Sequence, residues 1–170
     1  MIFARCLALA ILLMAPLPVW AMGFHAKDLW GVRLKTSVFL GGSYEAESYA
    51  PNRVTLHCRD CDGLVIVDIL LTQGEDSQEA KLRSGEMTIP AMQEGCTAWA
   101  ESCSLRAHAV GGAIGWVEDY IFGGRAGTTA RLYLDGEMLM IRSTAPVADI
   151  AHGNGRAAIE KIAPLIVEGP

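Results

Sequence analysis

Residues 128–143 show the clearest alternation of apolar and polar positions in the chain. Two largely apolar segments flank Asp135-Gly136, a dipeptide that favours the type I′ turn of a two-residue hairpin loop. Such a loop sets the pairs on the face that we expect to form core: Leu134 with Glu137, Leu132 with Leu139, and Ala130 with Ile141. The opposite face has Tyr133 across from Met138 and Arg131 across from Met140. Because this second face is also fairly apolar, we predict that another element covers it.

Shorter apolar patterns predict further strands. Residues 32–40 are predicted as a half-buried strand, ended by Gly41-Gly42-Ser43, because apolar residues fall at even positions: Val32, Leu34, Val38 and Leu40. Residues 64–71 are nearly all apolar, as in a central strand covered on both faces. Three shorter strands are predicted over 54–57, 105–110 and 116–122, and the polar residues 73–86 as a surface loop or a short solvated helix.

Two helical segments complete the pattern. Pro90 is suited to the first turn of a short helix near residues 91–103. A last helix is predicted from about Asn154, as its N-cap, to Val167, with Pro164 kinking or ending it early. We expect this helix to cover the Tyr133 face of the hairpin. The order of elements predicts an α+β fold, a mainly antiparallel sheet with the C-terminal helix packed on one face.

The N-terminus has the organisation of a secretory signal peptide. One positive charge at Arg5 precedes an unbroken apolar run of ten residues, Cys6 to Ala15, which is followed by Pro16 and Pro18. A membrane-spanning helix needs about 20 apolar residues, so the run is too short for an anchor. We predict that residues 1–21 are removed, leaving 22–170 as a single disulfide-stabilised domain with no membrane span.

Charge and composition narrow the compartment and the partners. The 170 residues include 19 acidic and 14 basic side chains, a net charge of −5, which argues against a strongly basic nucleic-acid-binding protein. Ten arginines against four lysines, together with abundant alanine, are typical of a GC-rich bacterial genome. With the signal peptide, these features predict a periplasmic or secreted protein and favour the periplasm.

The predicted mature chain has four cysteines: Cys58, Cys61, Cys96 and Cys103. An even number in an exported protein predicts two disulfides, with three possible connectivities. If one continuous helix held both Cys96 and Cys103, they would be separated by about 10.5 Å, too far for a bridge. Gly95 and Thr97 suggest that the helix is interrupted, which favours the local pairs 58–61 and 96–103.

Cys58 and Cys61 also have the spacing of a redox-active dithiol. Such a dithiol usually opens a helix whose dipole lowers the thiol pKa, and no helical pattern follows here. A third possibility is a metal site built from His57 and the cysteines, although disulfide formation would compete for the thiolates. A structural bridge is the favoured interpretation.

The aromatic residues define a candidate ligand or partner surface. Trp116, Glu118, Tyr120 and Phe122 share one face of their predicted strand. If this strand lies beside the hairpin, they join Arg131, Tyr133 and Met138 in one patch of aromatic and methionine side chains. The patch is either core beneath the terminal helix, which we favour, or a binding pocket between sheet and helix.

Catalytic motifs with a recognisable spacing are missing from the sequence, and we predict no cofactor or resident metal. The acidic neighbours Glu118 and Asp119 would point to opposite faces of a strand, so they are not predicted to act as a pair. The leading hypothesis is an exported, non-catalytic domain that binds another cell-envelope protein or a small apolar ligand. A thiol–disulfide oxidoreductase using Cys58 and Cys61, a periplasmic metal-binding protein and an unrecognised hydrolase are the alternatives.

Overall fold

The fold is α+β, as the sequence predicts, and is built on one antiparallel sheet of seven strands. The computed structural model describes residues 23–40 and 43–169. The predicted signal peptide, residues 1–21, lies outside the described residues. The strands are β1 (Tyr44–Ala50), β2 (Arg53–Cys58), β3 (Ile66–Gln73), β4 (Ser102–Val110), β5 (Ala113–Phe122), β6 (Arg125–Leu134) and β7 (Glu137–Ala145). Their order across the sheet is β1-β2-β3-β7-β6-β5-β4, which places β1 and β4 at the edges.

In the described part of the chain, four helices lie on the two faces of this sheet. They are α1 (Trp30–Phe39), α2 (Asp76–Ser84), α3 (Ile89–Trp99) and α4 (Ala148–Val167). The main core lies between one face of the sheet and α4, where Leu132 and Ile141 pack in one buried cluster with Ile162 and Ile166. Because both sides of this contact are aliphatic, burial of apolar surface is the main stabilising term here.

The hairpin of β6 and β7 confirms the predicted register in full. Leu134 lies opposite Glu137, and the alternate faces pair Leu132 with Leu139 and Tyr133 with Met138. Asp135 and Gly136 have φ angles of 50° and 81°, the positive values that a type I′ turn requires. The local sequence was sufficient because the turn residues and the alternation favour the same register.

The prediction for the C-terminal helix was right about its end at Val167 but wrong about its start and about the face that it covers. The helix begins at Ala148 rather than near Asn154, and Pro164 does not end it early. Asn154 is therefore not an N-cap but lies within the helix, where its side-chain amide donates to the Tyr44 hydroxyl. The helix also packs on the Leu132 face of the hairpin, not on the Tyr133 face. The latter face is covered instead by α2 and α3.

Residues 30–39 form a helix, so the strand predicted over 32–40 was also wrong. Leu29, Val32 and Thr36 are buried, and their spacing of three and four residues is that of one helix face. Thr36 hides this pattern because it is polar. In the helix its hydroxyl donates to the Val32 carbonyl over 2.8 Å, so its burial leaves no unpaired polar group. Strand β1, which follows, was not predicted.

The segment before α1 is part of the folded domain. Phe24 is buried in the main core, and the backbone amides of His25 and Ala26 donate to carbonyls in the last turn of α4. Lys27 forms an ion pair with Glu137 over 2.9 Å. Within the part of the chain that the structure describes, no helix is both long and apolar enough to cross a membrane.

Candidate functional site

A cavity of about 500 Å³ lies between the sheet and the helices α2 and α3. We call it the Trp116 pocket. Its position follows from the strand register, because Trp116 on β5 is paired with Arg131 on β6, and Tyr133 lies two residues further along that strand on the same face. It is lined by Gln73, Glu75, Gln78, Met87, Met92, Trp116, Arg131, Tyr133 and Met138.

Two stacked aromatic rings form the floor of the Trp116 pocket. The ring centroids of Trp116 and Tyr133 are 5.7 Å apart, with an angle of 29° between the rings. Their exposed fractions are only 8% and 2%, so both rings are held rigidly by surrounding atoms. The stacked rings therefore form a fixed base for the cavity, and the open space above them is bounded by the other lining side chains.

Arg131 continues the floor beside these rings. Its guanidinium carbon lies 5.8 Å from the centroid of the Trp116 ring, and Nη1 donates to Glu118 Oε1 over 2.7 Å. Glu118 and Asp119 do point to opposite faces of β5, since Asp119 instead accepts hydrogen bonds from Arg106 and Thr128. The guanidinium is thus stabilised by both an anion and a ring face, and its charge is balanced within the protein.

Three methionines from three different segments form the apolar walls. Met87 precedes α3, Met92 belongs to α3, and Met138 comes from β7. All three are half-buried. Unbranched thioether side chains adjust their shape easily, so walls of this kind suit ligands of variable outline.

Polar contacts at the rim hold α2 against the hairpin. The Tyr133 hydroxyl donates to the side-chain oxygen of Gln78, and Glu79 accepts the backbone N–H of Gly136 over 3.0 Å. Burial tends to raise the pKa of Glu79, but hydrogen bonds from Gly136 and Arg83 outweigh it and hold this pKa below the usual range. Glu79 is therefore an anion at neutral pH, which strengthens the contact with the turn.

The pocket is suited to binding rather than to proton transfer. Burial raises the pKa of Tyr133, so its hydroxyl remains protonated at neutral pH. Arg131 is paired with Glu118, and the other ionisable side chain in the lining is Glu75, which is exposed. The cavity therefore has an apolar, charge-balanced floor and a few hydrogen-bonding groups at the rim, as is usual for small-molecule sites.

The structure divides the predicted surface into two parts. Four of its residues line the Trp116 pocket: Trp116, Arg131, Tyr133 and Met138. Tyr120 and Phe122 lie further along β5 and instead contact Trp99 of α3, each with a distance of 5.4 Å between ring centroids.

Several lining residues were missed at the level of sequence. Met87, Met92 and Gln78 come from α2, α3 and the loop between them, a region that we predicted only in outline. The one available signal was the pair of methionines five residues apart beside Pro90. That spacing does not reveal which face of the sheet the segment covers.

The cysteines lie at disulfide distance in the local pairing. The Cα atoms of Cys58 and Cys61 are 5.6 Å apart, and those of Cys96 and Cys103 are 5.9 Å apart. The second pair forms because α3 ends at Trp99, so that Cys103 belongs to β4 rather than to the same helix. The short helix predicted near residues 91–103 thus exists but ends four residues early.

The two cysteine pairs are far apart in the sheet. β2, which ends at Cys58, and β4, which contains Cys103, are separated by five strand spacings, or about 24 Å. After Cys58 the chain bends through residues 59–63 and enters β3 without forming a helix. Among the described residues, no three His, Cys, Asp or Glu side chains are close enough together to hold a metal ion.

Two sequence comparisons add no relative to this picture. No protein-family model matches the chain, and no curated protein matches it in a sequence search.

Proposed function

We propose that this protein is an exported, non-catalytic binding domain that holds a small, neutral, largely apolar ligand in the Trp116 pocket. The observation that carries the proposal is the rigid Trp116–Tyr133 stack, which faces a cavity of about 500 Å³ beneath two covering helices. Ligand pockets of proteins typically measure about 300–1,000 Å³ and combine apolar walls with a few polar groups.

The charge balance of the pocket supports a neutral ligand. Arg131 is already paired with Glu118 over 2.7 Å, so an anionic ligand would have to compete with that carboxylate. A cationic ligand would meet the same guanidinium in the floor and would have only the exposed Glu75 at the rim to pair with. A neutral molecule would disturb no ion pair, and its one hydrogen-bonding group could reach the exposed amide of Gln73 at the rim.

Export is supported by two independent features. The N-terminus has the charge and length of a signal peptide, and the mature cysteines lie in pairs at disulfide distance. Both are compatible with an oxidising compartment, and we propose the periplasm.

The test is a fluorescence titration with N-phenyl-1-naphthylamine, a neutral apolar dye that brightens when it leaves water. Met138→Gln places an amide in the apolar wall at nearly constant volume. Met140→Gln is the matched control, because Met140 lies on the same face of β7 and outside the pocket lining. We expect saturable binding by the unmodified protein, about tenfold weaker binding by Met138→Gln and no change for Met140→Gln.

Two results would contradict the proposal. One is the absence of saturable dye binding to the folded protein. The other is equal weakening in Met138→Gln and Met140→Gln, since that would place the dye on the general surface of the sheet. Urea unfolding of each variant shows whether it is folded under the conditions of the titration, so that weaker dye binding is not mistaken for loss of the fold.

A further inference from the structure

Strand β4 forms one edge of the sheet, and its outer side is only partly closed. Backbone groups of alternate residues point away from β5, and Cys103 and Leu105 belong to this outward set. By the same alternation, Ala107 and Ala109 also direct their N–H and C=O groups outward. An edge of this kind is a template for pairing with another extended chain.

Gln93 closes the first part of this edge. Its side-chain Nε2 donates to the Cys103 carbonyl over 2.8 Å, and its Oε1 accepts the Leu105 N–H over 2.7 Å. The amide of one side chain therefore imitates the donor and acceptor of a neighbouring strand. Beyond Leu105 this protection ends, and within the described residues no hydrogen bond reaches the outward groups of Ala107 or Ala109, both of which are exposed.

An apolar groove lies along one side of the open edge. It has a volume of about 420 Å³ and is lined mainly by Leu82, Met87, Ile89, Ala107, Ala109 and Ile114. We call it the edge groove. The small alanine side chains of β4 leave room there, so every second residue of an added strand could bury an apolar side chain in it.

The other side of the same edge has a different chemistry. A cleft of about 390 Å³ is lined by Arg106, His108 and Arg156, together with Glu160. Arg106 is committed to Asp119 over 2.6 Å, whereas Arg156 on α4 is exposed and forms no ion pair in the described chain. The unpaired guanidinium favours an acidic side chain on this side of an added strand.

We propose that the outer edge of β4, from Leu105 to Ala109, binds an extended segment of another protein as an eighth strand, with alternating apolar and acidic side chains. The apolar side chains would enter the edge groove, and the acidic ones would face Arg156. Backbone hydrogen bonds to Ala107 and Ala109 would give the affinity, and the two sides of the edge would give the specificity.

A second copy of this chain fits the edge less well. Antiparallel pairing of β4 with itself about Ala107 would place Arg106 and His108 of both copies side by side on one face. It would also oppose Ala107 with Ala107 and Ala109 with Leu105, so that Leu105 would be the one large side chain that the second copy directs toward the edge groove. The positive side chains brought together on one face and the space left in the edge groove therefore favour a different partner.

The probe is a short fluorescein-labelled peptide of alternating valine and glutamate, with an alternating valine and lysine peptide for comparison. Ala107→Pro removes one outward N–H and leaves the ladder between β4 and β5 intact, because that N–H points away from β5. Ala107→Ser keeps the N–H and a small side chain, so the edge groove stays open, and it is the matched control. Arg156→Glu tests the charged side from an exposed position on another element.

We expect saturable binding of the glutamate peptide, with about tenfold weaker binding for Ala107→Pro and for Arg156→Glu, and little change for Ala107→Ser. Amide exchange at Ala107 and Ala109 should slow when the peptide is added. None of these positions lines the Trp116 pocket, so N-phenyl-1-naphthylamine binding should be retained and the two proposals can fail separately.

The proposal is overturned if the glutamate peptide shows no saturable binding at about 1 mM, or if both peptides bind equally. It is also overturned if Ala107 and Ala109 are already protected without peptide. Protection that depends on protein concentration would indicate a second copy, and protection only in the chain that retains residues 1–21 would indicate its own N-terminal segment. Should Ala107→Pro not fold, Arg156→Glu and the exchange data decide the question.

Discussion

Asp119 shows how one side chain can link stability to pH. Burial tends to raise its pKa, but hydrogen bonds from Thr128 and Arg106, helped by the Arg106 charge, outweigh this and hold the pKa below its usual value. The unfolded chain therefore binds a proton at Asp119 at a higher pH than the folded protein does. Above the unfolded pKa of about 3.9 the carboxylate contributes its full stabilisation, which is lost as the pH falls through the folded pKa.

We predict that Asp119→Asn makes the free energy of unfolding less sensitive to acid. In the unmodified protein this free energy should fall as the pH drops below about 4, and in Asp119→Asn the fall should be shallower. Urea unfolding at about pH 6 and about pH 3 measures the difference. Asp60→Asn, at an exposed position in the bend after β2, should retain the original pH dependence. If Asp119→Asn and the unmodified protein had the same pH dependence, Asp119 would not be a source of the acid sensitivity.

At the scale of elements, the contact between α4 and β6 depends on a glycine. A Cβ atom at Gly155 would lie 2.5 Å from Cβ of Thr128, whereas one at Gly153 would meet nothing within 4 Å. Thr128 is buried and donates its hydroxyl to Asp119, so it has little freedom to move aside. Gly155 is therefore needed for the helix to approach the sheet, and Gly153 is not.

This contrast gives a matched pair of variants. Gly155→Ala should lower the free energy of unfolding by about 1–3 kcal/mol, because the added methyl forces helix and strand apart. Gly153→Ala should raise it by about 0.5–1 kcal/mol, since alanine is the better helix former and the space is open. Urea unfolding of both variants is the measurement. Stabilisation by Gly155→Ala would show that α4 does not sit against Thr128 in solution.

The two cysteine pairs lie on separate elements. A Cys96–Cys103 bridge would tie the last turn of α3 to β4, and α3 carries the pocket residue Met92 and the edge residue Gln93. Replacing both cysteines with alanine should cost about 2.5 kcal/mol from chain entropy and should weaken dye binding. Cys58→Ala/Cys61→Ala should cost about 2 kcal/mol and leave dye binding unchanged, because that bridge lies at the far end of the sheet.

Urea unfolding and the dye titration measure these two outcomes together. Dye binding lost from the Cys58/Cys61 variant alone would contradict the placement of the ligand. Loss of thiol–disulfide exchange in the Cys58/Cys61 variant, with only the expected change in the free energy of unfolding, would instead favour a thiol–disulfide oxidoreductase.

At the scale of the whole molecule, export and oxidation can be tested on the intact protein. Material purified from the periplasm of its own host should have a mass that begins at Met22 and is lighter by four hydrogens, because two bridges form. Native mass spectrometry of the same sample should show an added small molecule that denaturation releases. A mass that includes residues 1–21 would contradict the proposed compartment. So would cysteines that an alkylating agent modifies without prior reduction, because they would be free thiols.

The candidate site was predictable only where adjacent residues determine it. Arg131, Tyr133 and Met138 could be placed on one surface because strand alternation and the Asp135-Gly136 turn fix which side chains share a face, whereas Trp116 joined them only on the condition that its strand pairs with the hairpin. Tyr120 and Phe122 satisfy the same alternation, yet they pack against Trp99 instead. Alternation determines the face of a sheet, but it does not tell which element will cover a given part of it.

The sequence by itself determined the α+β class, the hairpin register and the four cysteines of the predicted mature chain, because each depends on local turn chemistry, periodicity or composition. Tertiary structure decided that residues 30–39 are helical, that α4 begins at Ala148, and that α2 and α3 cover Tyr133. Each of these rests on burial against residues distant in the chain. Thr36 is polar but buried, and Gly155 interrupts a helical pattern where β6 demands close approach, so neither can be interpreted correctly without its neighbours in space.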